Sequence, residues 1–370
     1  MASLIAKAVD EPIVFVPKVR KTSVAASVEQ IDWGIKVVGI PEFWKTTKGD
    51  GVKVAVLDTG IAVNHPDLKD AIDDLQDFTN SVSGPADVHG HGTHIAGTIA
   101  ARENSYGVIG AAPNCRLLIG KVLGDNSSGS DLSVANGIRW AMEKGADIIS
   151  MSFGSPFRSP RIEEATKEAA EKGVLLVAAA GNEGPRLDTM GYPGKFPWVV
   201  SVGAIGRNMK PADFSSRSGN ADEVLDIMAP GEGILSTYPP ADLMILSGTS
   251  MACPLVSGIT ALMVAKHRQH GSNTPLTNWK ELKEHLIRSA IDLGDSGWDP
   301  QSGYGLVNPR KLLEENGVLP KTGGEVAQAP REVELTLGTD ISAAGLEKLQ
   351  AFFKAGLTSG TTIKLTASHG

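Results

Sequence analysis

The chain has 370 residues, 41% of them apolar and 21% charged, which suffices for a normal buried core. A net charge of −7 with no Lys/Arg-rich block argues against nucleic acid or an anionic membrane as partner. Two cysteines, Cys115 and Cys253, are too few for a disulfide framework. The N-terminus lacks a basic stretch followed by an apolar one, and Asp10 and Glu11 interrupt it, so a cytoplasmic location is expected. No run reaches the roughly 18 apolar residues that a membrane span needs.

Residues 1–30 form an N-terminal extension of mixed character containing Pro12 and Pro17. Residues 31–319 alternate short apolar runs with helical stretches. That pattern predicts an α/β domain, doubly wound around a mostly parallel sheet with helices on both faces. The runs 52–57, 116–122, 147–152, 174–180 and 199–204 are continuous, which suits strands buried on both faces. Helices are expected over 131–144 and 161–172, with Gly173 ending the second. The nearly all-apolar stretch 255–265 reads as a buried central helix with Pro254 in its first turn. Residues 320–330 read as a linker. Residues 331–370 follow as a short β-α-β-like attachment, with strands near 332–337 and 361–367 and a helix over 342–354. It is too small to bury a core alone, so it is expected to pack on the main domain or on a second copy.

Three segments carry chemistry. Val54-Ala55-Val56-Leu57-Asp58 ends a buried strand on a carboxylate, where open α/β sheets place their sites. A turn or helix cap explains a lone Asp there equally well. His89-Gly90-His91-Gly92-Thr93-His94 offers a general base among glycines that let the backbone approach other elements closely. His94 is expected to be structural and His89 a loop residue. Gly248-Thr249-Ser250-Met251-Ala252-Cys253-Pro254 puts a serine at the start of the central helix, where the helix dipole favours developing negative charge. A lone serine there would be read as an N-cap. Cys253 is expected to be a small buried residue rather than a second nucleophile.

Taken together, in the order Asp, His, Ser, these segments resemble the subtilisin family of serine proteases over residues 34–308. Ala178-Ala179-Ala180-Gly181-Asn182 and His65-Pro66-Asp67-Leu68 have family counterparts, as do Ser150-Met151-Ser152-Phe153-Gly154 and Met228-Ala229-Pro230-Gly231. The resemblance implies a serine endopeptidase with Ser250 as nucleophile, His91 as general base, Asp58 as its orienting carboxylate and Asn182 as oxyanion donor. It also implies that Ser128, Gly129 and Ser130 on one side, and Ser152, Phe153 and Gly154 on the other, hold an extended polypeptide substrate. Ala179, Ala180 and Gly181 would line the pocket for the residue before the scissile bond (P1). Asp131 stands where the best-known members carry Tyr, at the rim of the pocket for the fourth residue before that bond (P4). It either favours polar or basic P4 side chains there or caps the helix that follows.

Asp67 and the loop 102–108 match the family's structural Ca2+ site. Asp67 and Asn104 would supply side-chain oxygens and Arg102, Tyr106 and Val108 backbone carbonyls, with Glu29 or Gln30 completing the shell. The extension is most similar to the short one of intracellular subtilisins, which carries an apolar-Pro-apolar stretch like Phe15-Val16-Pro17-Lys18-Val19. That similarity implies an N-terminal extension lying across the cleft as an inhibitor until it is removed between about Val19 and Ser27. It also implies a homodimer, since intracellular relatives form one. A subtilase that processes a single precursor and a non-catalytic binder on the same fold are the competing readings.

Overall fold

The buried strands form where the sequence offers side chains to two cores at once. The computed structural model describes residues 14–15, 20–24, 28–219, 225–269, 279–315, 332–337 and 362–367. The extension contributes β1 (Val14–Phe15) and β2 (Arg20–Val24), followed by β3 (Gln30–Ile31) and α1 (Trp33–Val37). Next come β4 (Lys53–Asp58), β5 (Ile72–Asp77), α2 (His91–Ala100), β6 (Val108–Ile109), β7 (Arg116–Lys121) and β8 (Ser128–Gly129). The chain continues through α3 (Asp131–Glu143), β9 (Ile148–Met151), α4 (Pro160–Glu171), β10 (Leu175–Ala179) and β11 (Val200–Ile205). The rest adds β12 (Ile227–Pro230), β13 (Ile234–Tyr238), β14 (Asp242–Ser247), α5 (Thr249–Gln269), α6 (Trp279–Ser289), α7 (Pro309–Glu315), β15 (Glu332–Leu337) and β16 (Thr362–Ala367).

Seven strands form one parallel sheet in the order β12-β11-β10-β9-β4-β7-β5. Along β4, Val54 and Val56 enter one apolar cluster while Ala55 and Leu57 enter the other. Leu175 and Val177 of β10 likewise oppose Leu176 and Ala178. Such period-2 alternation between two dry faces explains why these strands read as unbroken apolar runs. Helices α2 and α5 cover one face and α3 and α4 the other. The doubly wound α/β architecture is therefore as expected.

Local signals set the helix ends. The Ser130 hydroxyl accepts from the Ser133 amide and caps α3, and Ser159 caps α4 ahead of Pro160. Asp131 is thus the first residue of α3 rather than its cap. Gly173, at φ +86°, follows the end of α4. Helix α5 is long and apolar enough to span a membrane by length and composition, but its apolar window is wholly buried inside the protein. It also starts earlier than expected, at Thr249, so Pro254 lies inside it.

From β4 the chain moves outward to β5, returns to β7, and then crosses to β9 on the other side of β4. This reversal brings the carboxyl ends of β4, β7 and β9 together, the place where open α/β sheets bind ligands. Two smaller pairings flank it. β1 runs antiparallel to β8, and β2 adds antiparallel to β14 at the edge of β13-β14. β15 and β16 pair in parallel, as a β-α-β unit requires. The helix expected over 342–354 and the linker 320–330 lie outside the described residues.

Candidate active site

Asp58 is the last residue of β4 and His91 the first of α2. His91 Nδ1 lies 2.8 Å from Asp58 Oδ1, and both residues are buried. Asp58 Oδ1 also accepts from the Thr59 amide at 2.8 Å. His91 Nε2 is buried without a hydrogen-bond partner among the described residues. Two glycines make this approach feasible. Gly90, at φ +96°, would place a Cβ 2.2 Å from the Tyr238 ring, and Gly92 would place one 2.3 Å from the Gly60 carbonyl.

Asp87 holds this corner together, although no motif in the sequence marks it. One carboxylate oxygen accepts from Thr59 Oγ1 at 2.9 Å and from the Gly90 amide at 2.7 Å. The other accepts from the Thr93 amide at 2.8 Å. Thr59 Oγ1 in turn accepts from the Gly92 amide at 2.9 Å. The end of β4 is thereby tied to the first turn of α2. An acidic residue four positions ahead of α2 was the one local signal, and it was not singled out.

Ser250 lies in the first turn of α5 and is fully buried. Its hydroxyl donates to the Ser152 carbonyl at 2.9 Å, and the Ser152 hydroxyl donates to the Ser250 carbonyl at 3.0 Å. Pro254 explains the second bond. It has no amide hydrogen to give to the carbonyl four residues earlier, so Ser152 takes that place. Asn182 follows the end of β10. Its Oδ1 accepts from the Thr249 amide and Thr249 Oγ1, both at 2.9 Å. Those donors fix the amide orientation and leave Nδ2 as the donating end.

Beside Asn182 lies an open pocket of about 410 Å³ lined by Gly154, Gly181, Glu183, Thr189, Met190 and Gly191, among others. Gly181 and Gly154, both expected to contact substrate, line it. Ala179 and Ala180 do not line it, because they belong to the packed core at the end of β10. Phe153 is also buried in the core, on the α3-α4 side. The wall 189–191 was missed, because it comes from a loop with no local signature.

Ser128 and Gly129 form β8 and pair with Phe15 and Val14. Val14 is fully buried in the α3-α4 core. Asp131 pairs with Arg161 at 3.0 Å and accepts from Ser159 Oγ at 3.3 Å. Its charge is therefore already met by a cation on α4.

The other candidate nucleophiles and bases are occupied or suppressed. Burial pushes the Cys253 thiol up to about 11 and the Cys115 thiol up to about 12. Burial pushes the His94 imidazole down to about 3, and its Nε2 sits 3.1 Å from the carbonyls of Ile234 and Met244. It is a structural histidine.

A second cluster surrounds Asp67. This buried carboxylate accepts from Asn104 Nδ2 at 3.1 Å and from the Val108 amide at 3.0 Å. Glu29 Oε1 accepts from the amides of Asn104 at 2.6 Å and Ser105 at 2.8 Å. Asn104 Oδ1 accepts from the Tyr106 amide at 2.9 Å. Gly107, at φ +59°, wraps so closely that a Cβ there would lie 2.1 Å from Asp67 Oδ2. Burial holds the Asp67 carboxyl above the usual carboxylate range. The Arg102 amide donates to the Asp67 carbonyl at 2.9 Å, while its guanidinium reaches the carbonyls of Asp70 and Pro113.

With this geometry in place, comparison with known proteins is decisive. Residues 49–305 match the family model described as the subtilase family. The chain is a subtilase. It is 44% identical over 287 residues to "Intracellular serine protease" of Paenibacillus polymyxa, an alignment covering 76% of this chain and 86% of that one. It is 42% identical over 298 residues to "Major intracellular serine protease" of Bacillus subtilis, covering 78% and 92%. "Subtilisin DY" of Bacillus licheniformis is 41% identical over 263 residues, covering 70% and 90%. As a subtilase the protein is a serine endopeptidase, a hydrolase acting on polypeptides.

Proposed function

We propose that this subtilase cleaves extended polypeptides inside the cell through Ser250, His91, Asp58 and Asn182, and that its own N-terminal extension restrains it. The observation that carries the chemistry is the His91 imidazole, oriented by Asp58 at 2.8 Å with Nε2 buried and without a partner among the described residues. Rotation of the Ser250 side chain exchanges the Ser152 carbonyl for Nε2. Oγ then attacks the substrate carbonyl carbon as its proton passes to His91, and His91 returns that proton to the leaving amine. Water repeats the sequence on the acyl-enzyme. Asp58 holds the reactive tautomer and balances the imidazolium. Asn182 Nδ2 and the Ser250 amide, a first-turn donor with no helical acceptor, receive the oxyanion. The intracellular setting rests on the names of the relatives.

Restraint by the extension is supported by strand pairing at both ends of the cleft. Phe15 pairs with Ser128, and Arg20 pairs with Ser247, three residues before Ser250. The stretch expected to cross the nucleophile, Val16-Pro17-Lys18-Val19, falls between these two pairings in sequence and outside the described residues. Proline fixes φ and brings no amide, which suits a segment that occupies the site without being cut readily. The full burial of Ser250 and His91 agrees with a covered cleft. On this reading Val14, paired with Gly129, takes the place of a P4 residue. Its burial, together with the Asp131–Arg161 pair, favours an aliphatic P4 side chain over the basic one that a free Asp131 would select.

Intact mass and peptidase activity of the full chain, followed together over time in calcium, test this reading. Activity should rise as the mass falls by the extension. A chain fully active at its full mass would leave the extension without an inhibitory role.

The Asp67 cluster fits a structural Ca2+. It is an all-oxygen donor set on a tight loop, around a buried carboxylate that lacks a lysine or arginine partner among the described residues. Asp67, Asn104 and Glu29 would hold the ion with the carbonyls of Arg102, Tyr106 and Val108. A bound ion would offset the buried charge and pin β3 and β6 to the loop. Chelation is expected to lower Tm by several degrees, with recovery on adding calcium, since a ligand bound only to the native state stabilises it. An unchanged Tm would remove the ion from the account.

A further inference from the structure

β14 is flanked by β13 on one side and by β2 on the other. β2 belongs to the extension, so an enzyme that has lost its residues through Val24 presents β14 as a bare sheet edge. Such an edge is a row of unpaired amides and carbonyls that readily accepts another strand. This edge leads through Ser247, Gly248 and Thr249 directly to Ser250. It also has a demonstrated register, five consecutive pairs from Arg20↔Ser247 to Val24↔Leu243.

The geometry points to β14 as a strand-addition site for the part of the substrate that lies downstream of the scissile bond. This rests on the reading that the extension crosses the cleft in the direction of a substrate. β1 on β8 is its upstream part and β2 on β14 its downstream part, and only residues 16–19 separate them. Counting Pro17 as the residue before the scissile bond on that reading, residues 20–24 are the third to the seventh after it. A polypeptide running the same way meets the same edge once the extension has gone. The ligand is therefore an extended main chain, read by backbone hydrogen bonds and tolerant of sequence. Half-buried Met244 and Ile245 on β14 add an apolar surface beside that chain. The consequence is selectivity by position. Bonds with seven or more residues after them are cut in preference to bonds near a carboxyl terminus.

The test is kinetic and needs no altered protein. The full chain, activated by its own processing in calcium, is given peptides that share one sequence up to the second downstream residue. They continue for two, five or eight residues in all. A further eight-residue peptide carries N-methyl groups on its fifth and seventh downstream residues, the counterparts of Thr22 and Val24 opposite Ile245 and Leu243. Each net main-chain bond is worth roughly twofold to tenfold, so kcat/KM should climb about tenfold or more from the shortest to the longest peptide. N-methylation should return it to the short-peptide value. A length profile that is flat within about twofold overturns the proposal, and so does a gain that survives N-methylation. Competitive inhibition by a synthetic peptide of residues 11–27 is measured in parallel. If that peptide inhibits while the length profile is flat, the strand-addition site fails and the inhibitory extension stands. If the peptide does not compete, the orientation of the extension itself is wrong.

Discussion

Ser250→Ala lowers kcat by about a millionfold and leaves the protein folded. That magnitude is the one measured for a subtilisin, a member of this same family. The physical reason is specific. Oγ is the only group at this position able to form the acyl-enzyme, and without it catalysis is reduced to what substrate binding and the oxyanion donors supply. The structural cost is small. Ser250 Oγ donates one hydrogen bond, to the Ser152 carbonyl, and losing one such bond costs about 1 kcal/mol. The reverse bond, from Ser152 Oγ to the Ser250 carbonyl, does not involve the hydroxyl that is removed. Tm should therefore fall by only a few degrees while turnover vanishes, and the variant should keep its full mass in calcium. A variant with a tenth of wild-type activity, checked by active-site titration to exclude contaminating enzyme, would mean that another residue is the nucleophile.

Asn182→Ala lowers kcat by roughly 10²–10³ with little change in KM. This range was again measured in a subtilisin. Selectivity for kcat follows because Nδ2 meets charge that exists only in the tetrahedral state, so ground-state binding is largely unaffected. Asn182 also has a structural task, since its Oδ1 accepts from the Thr249 amide and hydroxyl. Alanine removes both the acceptor and the donor, so it cannot separate the two roles. Asn182→Asp does. It keeps an oxygen for Thr249 but has no amide to donate, and it places a negative charge where the oxyanion forms. Its Tm should lie near that of wild type and its kcat at or below that of the alanine variant. An aspartate variant with near-normal kcat would show that Asn182 acts by holding Thr249 rather than through the oxyanion.

Features that depend on contiguous residues could be read from the chain before it folds. Runs such as 174–180 feed two cores in alternation, so they had to be strands buried on both faces. Serine and glycine stood at the helix ends because orphan amides and left-handed residues are satisfied locally. Asp58, His91, Ser250 and Asn182 each sit in a short contiguous motif, ambiguous singly, and it was the four motifs in their order along the chain that were legible. Which distant groups meet depends instead on how the folded chain packs. Asp87 joins Thr59 to the start of α2, Ser152 and Ser250 exchange hydrogen bonds because Pro254 leaves a carbonyl free, and loop 189–191 closes the pocket in place of Ala179 and Ala180. Asp131 looked like a free charge until α4 delivered Arg161 beside it. Least legible was β2, whose Arg-Lys-Thr-Ser-Val carries no apolar run. It is a strand because the main-chain groups of β14 were waiting for a partner, and backbone hydrogen bonds leave almost no mark on side-chain sequence.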